Sequence, residues 1–178
     1  MDDVVVDACC LINICAADKL RERLSLLGGK WYIPTAVLAE TLYLHIEQAD
    51  GTVDKFPLDL QSIIDDGVLL SCHAEPGEEL ELYVDLATRL DDGEAMTLAI
   101  AKTRSWTFST DDRKAKRIAG ELSVAVLTTP QIMKRWADLA TPSADELRET
   151  LDRIEHRASF FPAGSDPLHT CWQASVAD

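Results

Sequence analysis

Residues 90–119 read LDDGEAMTLAIAKTRSWTFSTDDRKAKRIA, and this stretch decides the fold. It opens on the turn residues Asp91, Asp92 and Gly93. An alanine-rich apolar run follows, with Glu94 in its first turn. A short β-prone segment, residues 106–108, leads to Ser109, Thr110, Asp111 and Asp112. The basic helix pattern RKAKRIA begins at once. The order is helix, strand, helix, with one acid at a helix start and two at a strand exit. In open α/β sheets, ligands sit beyond the carboxyl ends of the strands. Acids placed there are candidates for a site.

The same pattern recurs on both sides. Val4, Val5 and Val6 form a continuous β-branched run closed by Asp7, which suits a strand buried on both faces. Residues 10–27 keep apolar residues at helical spacing and stop at Gly28-Gly29. Residues 31–33 read as a second strand. Residues 36–47 read as a helix carrying Glu40, and the polar residues 48–57 as an exposed loop. Further helices are expected over 61–66, 76–89, 131–139 and 143–157, with strands over 68–72 and 124–127. Ser143 and Glu146 fit a capping box. Residues 160–178 show little periodicity. Strands alternating with helices predict a three-layer α/β/α sandwich around a central, mainly parallel sheet. The expected division is a main α/β domain over 1–140 and a C-terminal helix and irregular tail over 141–178, packed on it.

Composition limits the function. The 178 residues carry a net charge of −14, which opposes nonspecific nucleic-acid binding over the whole surface. Any such contact needs a local basic patch or a bound cation. The five cysteines have no CxxC spacing and read as reduced thiols in a cytoplasmic protein. No apolar stretch approaches the roughly 18 residues of a membrane span.

Four acids stand out by position: Asp7, Glu40, Glu94 and Asp112, with Asp111 beside the last. Helical side chains lean toward the N-terminus, so Glu40 and Glu94 can reach toward the strand exits that hold Asp7 and Asp112. Four carboxylates in one cleft repel and cannot all ionise without a cation. Hard oxygen ligands suit Mg²⁺ or Mn²⁺. Each acid also has a plainer reading. Asp91 and Glu94 form a D-x-x-E cap pattern, Asp111 can cap the basic helix, and Glu40 can be an exposed helix acid. The argument rests on the set. Arg113, Lys116 and Arg117 share a helix face and are candidates to hold phosphate, or else form a solvated face.

The motifs VVVDACCLINI, YIPTAVLAETL, DDGEAMTLAIA and TFSTDDRKAKRIAGELSVAVLTT, in this order and spacing, resemble PIN domains. They are most similar to the toxin-like members of prokaryotic toxin–antitoxin pairs. The resemblance covers residues 3–139, and the helix expected over 143–157 continues it. It implies a metal-dependent endoribonuclease with Asp7, Glu40, Glu94 and Asp112 as its acidic tetrad and Asp111 as an alternate or helper. It also implies an RNA substrate, a small antitoxin partner and a homodimer. Asn13 stands where the family often has a polar or small residue, and is a candidate either for substrate contact or for a structural role in the helix interior. The chain departs from the family at Ala8 and Cys9, where a Ser or Thr often follows the first Asp. That departure, with the −14 charge, motivates an alternative: a catalytically impaired PIN-like protein that binds RNA or protein without cutting.

Overall fold

The computed structural model describes residues 2–40, 42–48 and 50–177. Five parallel strands form the central sheet: β1 (Val4–Val6), β2 (Trp31–Pro34), β5 (Leu69–Cys72), β6 (Thr107–Ser109) and β7 (Val126–Leu127), in the order β5-β2-β1-β6-β7. β1 lies at the centre, with Val4 opposite Trp31 on one side and Thr107 on the other. Its valines divide between two cores. Val4 and Val6 pack with Leu11, Ile14, Ile132 and Leu151. Val5 packs on the opposite face with Leu98, Phe108 and Ile118. Successive strand side chains point to opposite faces, so a β-branched run without polar alternation is what a doubly covered strand requires. The three-layer α/β/α arrangement follows.

One face carries α1 (Ala8–Ala16), α2 (Leu20–Leu27), α8 (Thr129–Ala140), α9 (Ala144–Ala158) and α10 (His169–Val176). The other carries α5 (Glu78–Leu86), α6 (Asp92–Arg104) and α7 (Arg113–Glu121). Among the described residues, no helix is long and apolar enough to cross a membrane.

Three expectations are corrected. The segment 10–27 is two helices, because Asp18 and Lys19 adopt left-handed backbone (φ 60° and 51°) and turn the chain between them. The break is held by the buried Arg23, which donates to the carbonyls of Asp18 and Ala17, and by Arg157, which pairs with Asp18 at 2.8 Å. The expected helix over 36–47 is one turn only, α3 (Thr35–Leu38). After it, β3 (Tyr43–Glu47) and β4 (Val53–Pro57) form an antiparallel hairpin, so the expected loop is half strand. The short helix α4 (Gln61–Asp65) then leads into β5. Thr41 and Ala49, which fall in the two corrected elements, lie outside the described residues. The signal was a Leu44–Ile46 alternation leading to Asp50-Gly51, a turn pair with Gly51 at φ 81°. Finally, the tail contains α10, anchored by the buried Trp172, whose indole N–H donates to Glu155 at 2.7 Å.

Candidate metal centre

The parallel strands all end on the same side, and the candidate acids follow those ends. Asp7 leaves β1 and is the N-cap of α1. Its Oδ1 accepts from the Cys10 backbone N–H and from the Cys9 thiol, both at 3.1 Å. Its backbone N–H donates to the Ser109 carbonyl at 3.1 Å, tying it to β6. The side chain is only 2% exposed, and Oδ2 is buried without a hydrogen-bond partner. An unpaired carboxylate oxygen in a buried position is costly. Burial, with the neighbouring Cys9 adding to it, pushes the Asp7 carboxyl well above its usual range.

Glu40 and Glu94 meet Asp7 in one cleft of about 90 Å³, which Asp91, Gly93, Ala8 and Cys9 also line. Glu40 reaches it because α3 ends one turn after β2 and the chain bends. Glu94 stands in the first turn of α6, whose N-cap Asp91 accepts from the Glu94 N–H at 2.8 Å. Asp91 is therefore both a cap and a wall of the cleft, a double role that the D-x-x-E pattern alone does not reveal. Burial and then the charges of Asp91, Asp112 and Asp7 push Glu94 up to about 7. Burial and Asp91 raise Glu40 as well.

Gly93 explains how two helices bring acids so close. A Cβ there would fall inside the contact distance of Glu40 Oε1, whereas Val37 Cγ2 would stand at 3.6 Å. Gly93→Ala is therefore expected to push the Glu40 carboxylate out of the cleft while the fold tolerates it, since alanine favours a helix by about 1 kcal/mol over glycine. Melting in chelator should be unchanged or higher, and the extra stability given by Mn²⁺ should shrink. A full Mn²⁺ effect in Gly93→Ala would remove Glu40 from the ligand set.

The raised Glu94 gives a pH signature. An acid whose folded value lies above its unfolded one takes up protons on folding. The metal-free protein should lose stability as pH rises from the ordinary 4.5 through about 7. Solvent screening limits Glu94's share to about 1–2 kcal/mol. Urea midpoints in chelator across that window should slope less in Glu94→Gln. An equal slope would mean that the environment of Glu94 is not strained.

The two acids after β6 part company. Asp112 is the N-cap of α7, with Oδ1 accepting from the Lys114 and Ala115 N–H groups at 2.7 Å. Its charge is one of those that raise Glu94. Asp111 is taken up by the protein. Oδ1 accepts from the Thr129 N–H at 3.0 Å, and Oδ2 accepts from Asn13 Nδ2 at 2.9 Å, the Cys10 thiol at 3.1 Å and the Thr129 hydroxyl. Asn13 is buried, and its amide also donates to Thr129 Oγ1 at 3.1 Å. Asn13 is thus tied into the buried hydrogen bonds of Asp111 and Thr129, as the structural reading of a helix-interior asparagine expects. Arg113 and Lys116 line a neighbouring groove of about 620 Å³, together with Asp111, Gln131 and Phe161. Arg117 leaves this pair and forms an ion pair with Glu121, one helical turn on, which also holds Arg89.

Ligand-type atoms of Asp7, Cys9 and Cys10 lie within 4.8 Å of one another, the grouping among the described residues that could hold a metal ion. The carboxylates of Glu40 and Glu94 open on the same cleft, and Asp7 Oδ2 has no other partner. This donor set fits a divalent cation. A family model for the PIN domain matches residues 3–164. The chain belongs to the PIN-domain family. PIN domains are generally nucleases and work with a divalent metal, and the grouping of Asp7, Cys9 and Cys10 could hold such an ion. No curated protein matches the chain.

Proposed function

We propose that this PIN domain is a divalent-metal-dependent endoribonuclease, with Mg²⁺ or Mn²⁺ held by Asp7, Glu40, Glu94 and Asp112. The observations that carry the reading are the cleft that Asp7 shares with Glu40 and Glu94 and the buried, unpartnered Oδ2 of Asp7. A bound divalent ion would supply a Lewis acid for a phosphate oxygen and lower the pKa of an attacking water. The chain's own part is to fix that ion and to place the strand. Glu94, pushed up to about 7 while the cleft is empty, gives up its proton when an ion is held there, so uptake of the ion releases a proton near neutral pH. Asp111 stays a clamp, holding α1 and α8 against the β6–α7 corner. Arg113 and Lys116, facing the adjacent groove, would hold flanking phosphates.

The likeness to toxin members extends the proposal to a cytoplasmic toxin with a small antitoxin and a homodimeric state. Co-purification with the product of a short neighbouring reading frame tests that part. A second reading, an RNA- or protein-binding relative that does not cut, is favoured by Cys9, whose thiol donates to Asp7 Oδ1 where a hydroxyl is common.

The experiment is incubation of metal-stripped protein with a mixed single-stranded RNA pool in chelator and in Mn²⁺. Cleavage in Mn²⁺ alone supports the nuclease, and intact RNA with folded, partner-free protein supports the binding module. Binding measured in Ca²⁺ across salt concentrations adds a second readout. Changing Arg113 and Lys116 together to Ala should lower the slope of log affinity against log salt by about 1.4, or roughly 0.7 for each phosphate that is no longer neutralised. Arg117→Ala should change it less.

A further inference from the structure

Cys9 sets this cleft apart from an all-oxygen metal site. It stands in the first turn of α1, two residues after Asp7, and its Sγ lies 3.1 Å from Asp7 Oδ1. It lines the same cleft as Glu40 and Glu94. A carboxylate oxygen of Asp7 and the thiol sulfurs of Cys9 and Cys10 lie within 4.8 Å of one another. Two ligands of one zinc-type ion, with bonds of about 2.3 Å to sulfur and about 2.0–2.2 Å to oxygen, stand at most that far apart. The second, independent observation is Asp7 Oδ2, buried, unpartnered and belonging to a residue of the cleft wall. The two thiols differ. Cys10 is fully buried and already spent on Asp111 and on the Thr129 hydroxyl. Cys9 is half-buried at the cleft and is the sulfur an incoming ion meets.

We infer that the cleft takes a thiophilic divalent ion, Zn²⁺ or Co²⁺, through Cys9 Sγ together with the Asp7 carboxylate, in preference to Mg²⁺. The inference rests on the reading of these acids as a metal centre and adds the identity of the preferred ion. Sulfur ligands select borderline and soft ions, and affinity at mixed sulfur and oxygen sites rises toward the end of the first-row series. Mg²⁺ gains nothing from a thiolate, because it demands hard oxygen ligands. As the sulfur–metal bond forms, the thiol proton is released to solvent and the S–H···Oδ1 contact to Asp7 is given up, leaving Oδ1 with the Cys10 N–H alone and Oδ2 unpartnered. In a cell holding both ions, Zn²⁺ would then compete for the position that an RNA-cutting ion needs.

The test is a titration of the full chain with Co²⁺ alone, followed by absorption spectroscopy under a non-thiol reductant. Cys171 is exposed, so the reference protein carries Cys171→Ser. The expected result is a near-ultraviolet sulfur-to-cobalt charge-transfer band in the reference, lost in Cys9→Ser and Cys9→Ala and kept in Cys10→Ser. Visible cobalt bands should persist in Cys9→Ser, since the carboxylates still bind. Competition should show Zn²⁺ affinity weakened by about tenfold or more in Cys9→Ser, with Mg²⁺ affinity changed by less than about twofold. A charge-transfer band that survives Cys9→Ser, or that is lost in Cys10→Ser alone, overturns the assignment to Cys9. Visible cobalt bands without any charge-transfer band overturn the sulfur ligand and leave the carboxylate centre standing. No cobalt spectrum at all overturns both.

Discussion

Asp7→Asn is expected to lower RNA cleavage by about 10²-fold or more while the protein stays folded. The change is nearly isosteric. Asparagine caps a helix about as well as aspartate, so the bond from the Cys10 N–H at 3.1 Å can be kept. What disappears is a charge in a buried position where Oδ2 has no partner. In chelator, the melting temperature should therefore be unchanged or higher. In excess Mn²⁺ the wild type gains the stabilisation of a ligand that binds only the native state, about 2.7 kcal/mol at a hundredfold excess over Kd. Asp7→Asn should lose most of it. The contrary outcome is a drop of equal size in chelator and in Mn²⁺, which would make Asp7 a cap and nothing more.

Asp111→Ala should be the more damaging change to the fold, costing on the order of 3 kcal/mol. It takes an acceptor from Asn13 Nδ2, the Cys10 thiol and both donors of Thr129, leaving Asn13 Nδ2 with Thr129 Oγ1 and the Thr129 hydroxyl with the Cys10 sulfur. Asn13, Cys10 and Thr129 are buried, so water can reach the emptied position only from the groove that Asp111 lines. The neighbour behaves oppositely. Asp112→Ala removes an N-cap, worth about 1 kcal/mol, and takes away one of the charges that raise Glu94. Urea midpoints should rank Asp111→Ala far below Asp112→Ala, whereas Mn²⁺ affinity should fall more in Asp112→Ala. Equal urea midpoints would show that the Asp111 network adds no stability beyond that of a simple cap.

These two acids also mark what the sequence shows and what it hides. Both follow a strand and precede a helix, and nothing local separates them. The difference is made by Thr129, on a helix that begins after the next strand, and by Asn13 on α1. Such long-range partners leave no trace in spacing. By contrast, the fold was legible, because the run Val4–Val6 lacks polar alternation and each valine finds a core on its own face. The acids Asp7 and Glu94 were legible for a related reason: one closes a strand, and the other opens a helix with a D-x-x-E signature. Glu40 was found on the wrong kind of element. Residues 36–47 satisfy a helical spacing and, from Leu44, a strand alternation, and the hairpin turn at Asp50-Gly51 decides between them. The pairing of Arg117 with Glu121 was open to reading, since it is an i, i+4 pair.

The central claim is that these carboxylates form one divalent-ion site. Its most direct measurement is a Mn²⁺ titration of metal-stripped protein at neutral pH, following free Mn²⁺ by electron paramagnetic resonance. The account predicts saturable uptake by the wild type, weakened by about tenfold or more in Asp7→Asn and in Glu94→Gln. A wild type that takes up no Mn²⁺, or an Asp7→Asn protein that takes it up equally well, would contradict it.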